Sequence, residues 1–246
     1  MSVPIWGTIG FVKLPGWLKV ALGVGATVAG ASWFLRHVWF YRDPKRTPPP
    51  DPDLILAPCD GKVVYIRPVV QGTVFAEKLG RAIPITEITR ADWQASDEGW
   101  LIGIYMSPFD VHFNYAPMSG VIQRIVHTPA RANLPMLDLW EYTRMAWFRQ
   151  AVDLLGKRFQ LENERQTLLL ENGKVRLAMV EIADKFVNKI TTYVREGQAV
   201  QAGQKIAFIG RGSQVDLLIF TRQIEILTRV GAQVYGGQTP VARLLE

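Results

Sequence analysis

The chain has 246 residues, 48% of them hydrophobic, enough for one substantial core plus a short membrane segment and too few for two large domains. A formal charge of +6 fits a phosphate-bearing partner, whether nucleic acid, anionic bilayer or small molecule, without choosing among them. Cys59 is the only cysteine, which excludes an intramolecular disulfide and a cysteine-based zinc site.

Val20 to Leu35 carries no charge and is closed by Lys19 and Arg36. As a helix it would reach roughly 24 Å, a little short of a hydrocarbon core of about 30 Å. Lys19 and Arg36 can snorkel to the headgroups, and Trp17, Trp33, Trp39, Phe40 and Tyr41 suit an interface. The segment therefore predicts membrane attachment; a buried Ala/Gly-rich helix and a cleaved signal peptide ending near Ala29-Gly30-Ala31 are the alternatives. Basic residues are denser after it (Arg36, Arg42, Lys45, Arg46) than before it (Lys13, Lys19), which predicts a C-terminal part on the cytoplasmic side of the cell membrane.

Residues 43–53 hold five prolines and no apolar period, the pattern of a stiff connector. Three regions are expected: an anchoring segment at 1–41, a connector at 42–53 and a β-rich domain at 54–246. Strands are predicted at Lys62–Pro68, Trp100–Met106, Gly120–His127, Thr167–Leu170, Val175–Ile182, Lys189–Val194, Lys205–Ile209 and Gln214–Phe220. With turns at Glu171-Asn172-Gly173 and Glu196-Gly197-Gln198 they suggest a mainly β, β-rich α+β barrel or sandwich. Leu137–Leu155 instead reads as an amphipathic helix, with Leu137, Trp140, Trp147, Phe148, Ala151 and Leu155 on one side, able to lie on a membrane.

Two segments, 116–122 and 194–204, look like the strand-and-turn phrases of biotinyl and lipoyl carrier domains. That makes a carrier or binding module the rival class. No lysine has the hairpin setting a carrier needs, and a shared architecture does not transfer activity.

His37, His112 and His127 are the only histidines. His112 lies between two predicted strands, where a loop can place an imidazole in a pocket, although a lone histidine is more often structural or exposed. Asp60-Gly61 alone is an ordinary turn pair, and Gly212-Ser213 alone is an ordinary loop.

Together with their surroundings these residues are far more specific. In order along the chain stand Phe40-Tyr41-Arg42-Asp43-Pro44, Ala57-Pro58-Cys59-Asp60-Gly61-Lys62-Val63, Met106-Ser107-Pro108-Phe109-Asp110-Val111-His112, Asn163-Glu164-Arg165 and Gly212-Ser213-Gln214-Val215-Asp216. From about residue 40 onward the chain resembles the phosphatidylserine decarboxylase family in its short, prokaryotic form. The resemblance implies cleavage between Gly212 and Ser213, giving chains 1–212 and 213–246, with Ser213 converted to a covalent pyruvoyl group. It also implies a triad of Ser213, His112 and Asp60, with Asp60 fixing the tautomer of the His112 base.

No metal is called for. The implied partner is a membrane phospholipid, ester-linked or of the archaeal, ether-linked archaetidylserine type, rather than nucleic acid, and the processed units are expected to pair as a homodimer. Arg165 is a candidate for the lipid phosphate, or else part of a strand-edge salt bridge; His112 is the first candidate to protonate the carbanion left by CO2, with Tyr115 the alternative. Arg211 and Gln214 depart from the family, which usually has an apolar residue and an arginine there. The 135–156 stretch looks longer and more aromatic than usual. An unprocessed, membrane-attached relative is a further alternative.

Overall fold

The computed structural model describes residues 15–91, 98–130, 134–146, 152–184, 190–210 and 213–245. The chain divides into two compact units, Met1–Trp39 and Phe40–Glu246. In the first, a helix spans Gly16–His37, none of its residues buried. Its 22 residues correspond to about 33 Å of rise, and by length and apolar composition it could cross a bilayer.

The second unit is mainly β, built on a curled antiparallel sheet. Among the described residues this sheet has eight strands in the order Ala199–Val200, Gly120–Thr128, Arg165–Glu171, Arg176–Ala183, Ser213–Ile219, Gly99–Met106, Gly61–Val69 and Gln233–Val234. Two three-stranded sheets accompany it: Ile190–Thr192, Lys205–Ile209 and Phe113–Tyr115; and Leu54–Leu56, Pro240–Leu244 and Ile224–Ile226. All eight predicted strands are present, with ends shifted by a few residues.

The central strands are apolar at nearly every position because both faces of the sheet are covered. Val215, Leu217 and Ile219 join Ile102, Ile104 and Met106 in one core, whereas Leu218 joins Leu101, Tyr105 and Val180 in the other. Alternation along one strand thus feeds two interiors. At Gly103 a Cβ would stand 2.3 Å from the Tyr65 ring, so this glycine makes room for Tyr65 to lie across the sheet.

The amphipathic helix predicted for Leu137–Leu155 is shorter. It runs from Leu139 to Ala146, started by a reciprocal cap in which Glu141 N donates to Asp138 Oδ1 and Asp138 N donates to Glu141 Oε2. Trp147, Phe148 and Ala151 lie outside the described residues. From Val152 to Gly156 the chain is not helical: Asp153 Oδ1 accepts from Leu155 N, Gly156 takes φ +82°, and Leu154 and Leu155 are buried in the core. Of the predicted apolar side, Leu155 is thus a core residue, whereas Trp140 in the helix is exposed.

Candidate active site

Ser213 opens its strand at a position where the sheet is paired on both sides. It stands opposite Met106 in one direction and Ala183 in the other. The neighbouring rank runs Gln214, Tyr105 and Lys62 across three adjacent strands. Ser213, the turn after Met106 that carries His112, and Asp60 immediately before Gly61 are therefore brought to the same end of three neighbouring strands. Sheet register explains why residues so distant in sequence meet there. Gly212, the other half of the expected cleavage point, and Arg211 lie outside the described residues.

All three residues are withdrawn from solvent: Ser213 and His112 are fully buried and Asp60 nearly so. The Ser213 hydroxyl donates to the Met106 sulfur at 3.1 Å, a weak acceptor that leaves the oxygen lone pairs uncommitted. His112 is held from several sides. Its ring lies 4.0 Å from the Phe40 ring, centroid to centroid, and its carbonyl accepts from Ile209 N. Its Nδ1 meets the Asp110 carbonyl at 2.9 Å, and a carbonyl can only accept, so the proton sits on Nδ1 and the Nε2 lone pair is free. Nε2 is buried without a hydrogen-bond partner among the described residues. Burial lowers the His112 pKa to about 4, with the nearby Arg42 charge acting in the same direction, so the ring is neutral at ordinary pH.

The turn that presents His112 is built by Asp110. Its Oδ2 accepts from Ser107 N and Ser107 Oγ, its Oδ1 accepts from Gln233 Nε2, and its amide donates to the Ser107 carbonyl. Arg42 closes the turn by donating to the Phe109 and Asp110 carbonyls.

Asp60 differs from the sequence expectation. Both of its oxygens accept from Arg46 Nη2, at 2.9 and 2.8 Å, and Oδ1 also accepts from Gly236 N. Among the described residues no hydrogen bond joins Asp60 to His112 or His112 to Ser213, and the role of fixing the imidazole tautomer falls to the Asp110 carbonyl. The Arg46–Asp60 pair is almost dry, with side-chain exposures of 8% and 5%. Arg46→Ala should therefore destabilise the protein by about 3–5 kcal/mol, since it strands a buried carboxylate. Chemical denaturation should show Asp60→Asn in the Arg46→Ala background recovering part of that loss.

Tyr115 lies close by, its ring centroid 5.6 Å from the Arg46 guanidinium carbon and its hydroxyl buried within the influence of that cation. Burial raises its pKa, which keeps a proton on the phenol. Arg165 lies elsewhere. It is fully buried and its Nη1 donates to the Glu87 and Ile88 carbonyls at the end of the short helix Ile85–Thr89, away from the solvent a phosphate would come from. Gln214 points to the opposite face of the sheet from Ser213, donating to the Tyr65 hydroxyl and to Asp216 Oδ1 at 2.6 Å each. Its departure from the family pattern is thus absorbed by a polar cluster in the second core.

Against this geometry, the phosphatidylserine decarboxylase profile matches residues 33–242. The chain belongs to the phosphatidylserine decarboxylase family. It is 28% identical to the phosphatidylserine decarboxylase proenzyme of Pelobacter propionicus over 230 residues, 93% of this chain and 86% of the relative. The Magnetococcus marinus proenzyme of the same name is also 28% identical, covering 92% and 91%. Archaeal relatives named putative archaetidylserine decarboxylase proenzymes reach 32%, as in Methanothermobacter thermautotrophicus over 83% of this chain and 78% of the relative.

Two residues that shape this site carry little signal in the sequence of a phosphatidylserine decarboxylase relative. Arg42 and Arg46 look like basic residues flanking a membrane segment, yet both are bound into the β unit around the site. Arg42 stands in one of the family-like phrases; Arg46 has no signal beyond its charge. The segment that carries them packs tightly enough for Pro48 to bar a side chain at Gly203.

Proposed function

We propose that this decarboxylase proenzyme cleaves itself between Gly212 and Ser213 and then decarboxylates the serine headgroup of a phospholipid, phosphatidylserine or its archaeal ether-linked counterpart. The observation that carries the reading is the free, buried Nε2 of a neutral His112 at the strand end where Ser213 begins. Such a nitrogen can take the Ser213 hydroxyl proton as the oxygen leaves Met106 and attacks the Gly212 carbonyl. The proton passes to the departing Ser213 nitrogen, and the amide becomes an ester. Loss of the Ser213 α-proton then expels the Gly212 carboxylate and leaves dehydroalanine at the new N-terminus. Water converts it to a pyruvoyl group with release of ammonia.

The residues present fit that group. Its position is dry and fixed by sheet pairing on both sides, and the unpartnered Nε2 of His112 is a buried polar atom awaiting a partner. When formed, the pyruvoyl group supplies the electron sink for loss of CO2. His112 and Tyr115 are the groups of this chain that hold and return a proton. Asp60 is the anionic member of the set, holding Arg46 over Tyr115.

In the same proposal residues 1–41 anchor the chain to the cell membrane, 42–53 connect, and 54–246 form the catalytic domain on the cytoplasmic side, with processed units paired as dimers. The phrases at 116–122 and 194–204 support a likeness to biotinyl and lipoyl carriers in local strand-and-turn construction. The purified protein should run as two chains, 1–212 and 213–246. It should need no added cofactor, and phenylhydrazine should abolish activity while adding mass to the smaller chain. Full activity after such treatment, or dependence on pyridoxal phosphate, would refute the proposal.

A further inference from the structure

Glu181 is a fully buried carboxyl that self-cleavage and decarboxylation, as proposed, leave unused. It stands opposite Val215 two residues before Ala183, which is opposite Ser213, so Glu181 and Ser213 point from the same face of the sheet one alternation apart. Its Oε1 accepts from Asn114 Nδ2 and its Oε2 from Gln166 Nε2, each at 3.0 Å. Gln166 Oε1 accepts in turn from Thr192 Oγ1 at 2.7 Å. Asn114 and Thr192 belong to the outer strands of the small sheet whose middle strand, Lys205–Ile209, leads into the cleavage point. Asn114 lies two residues after His112, and its own Oδ1 is buried without a partner among the described residues.

From this connectivity, and resting on the self-cleavage reading, we infer that Glu181 is a positioning residue that fixes the His112-bearing small sheet against the Ser213 strand. The main sheet reaches the small sheet through Glu181–Asn114 on one outer strand and Gln166–Thr192 on the other. Glu181 is the group where these ties meet. As a neutral acid it can also donate its proton to Asn114 Oδ1 once that amide rotates, which satisfies the orphaned acceptor. Ionised, it is a buried anion served only by neutral amides; its relief is to admit water, which parts the sheets.

Burial pushes the Glu181 pKa up to about 8 against the opposing pull of Gln166 and Asn114. The groups facing it are Asn114, Gln166 with Thr192 behind it, and Val215. The field of Glu181 also reaches the Cys59 thiol, which burial keeps protonated. The tie should therefore hold below about pH 8 and loosen above it.

The test monitors splitting of full-length chain made by cell-free translation, chased between about pH 6.5 and pH 9.5, a window that brackets the raised Glu181 pKa. The wild-type rate is expected to fall about fivefold from pH 8 to pH 9, approaching tenfold per pH unit beyond that. Glu181→Gln keeps volume and polar atoms without ionising; it should split within about threefold of the wild-type rate near pH 7 and lose the alkaline fall. Glu181→Leu, checked for native circular dichroism, should split at least about tenfold more slowly than wild type near pH 7, with the gap closing as the wild type slows above pH 8. An alkaline fall retained in Glu181→Gln, or wild-type splitting by folded Glu181→Leu, would overturn the inference. The Gln profile decides alone should the Leu variant not fold. Ser213→Ala run in parallel separates the two claims: splitting there sinks the self-cleavage reading itself, whereas its absence leaves the Glu181 result to stand or fall separately.

Discussion

Ser213→Ala should remain a single chain of unaltered mass with no decarboxylase activity. The substitution removes the attacking oxygen and, with it, the atom needed to build the pyruvoyl group. Because Ser213 is fully buried and makes one weak contact to sulfur, its loss should cost little stability. A folded but uncut protein is therefore the expected product, and intact mass spectrometry after expression reads it directly. Splitting after Gly212 in this variant would rule out the serine oxygen as nucleophile.

His112→Ala should slow splitting by about 10²–10⁴-fold, the usual contribution of a positioned general base. Any mature protein recovered should turn over poorly as well if one imidazole serves both steps. The pH dependence has a definite sign. With its folded pKa near 4 against an unfolded value near 6.5, His112 is neutral in the native state where the unfolded chain would already bind a proton. Its contribution to stability is intact above about pH 6.5 and declines as pH falls toward 4. The wild-type unfolding midpoint should therefore drop over that window more steeply than that of His112→Gln. Equal slopes for the two proteins would show that His112 does not titrate in this way.

The parts of the molecule that are legible in the sequence share a physical cause. Strands such as Trp100–Met106 and Lys205–Ile209 are short β-branched and aromatic runs bounded by turn residues, and local patterning specifies them. The short strands Phe113–Tyr115, Gln233–Val234 and Ile224–Ile226 have no such signature, because two- and three-residue elements owe their existence to partners elsewhere in the chain. The same distinction runs through the site. Ser213, His112 and Asp60 stand out through ordered phrases, whereas the Arg46–Asp60 pair and the Asp110 carbonyl on His112 depend on which segments fold beside one another. Glu181 is inconspicuous because a glutamate within an apolar strand looks like an ordinary interruption; only burial on both faces of the sheet makes it unusual.

If the chain is cut before Ser213 as proposed, the sheet order also governs the fate of the two pieces. The strand that begins at Ser213 lies between Arg176–Ala183 and Gly99–Met106, and farther along Gln233–Val234 pairs with Gly61–Val69 and Pro240–Leu244 with Leu54–Leu56. Residues 213–246 are thus woven through the rest of the β unit at three separate places, and the smaller piece would stay put once the covalent link is gone. What is lost is the ability to reassemble. The uncut chain brings these strands together at the high effective concentration of an intramolecular search, while the severed pieces must find each other in solution as partly unfolded, aggregation-prone fragments. Folding would then be a one-time event in the protein's life, and the cut form would persist through the slowness of its disassembly rather than through any capacity to return.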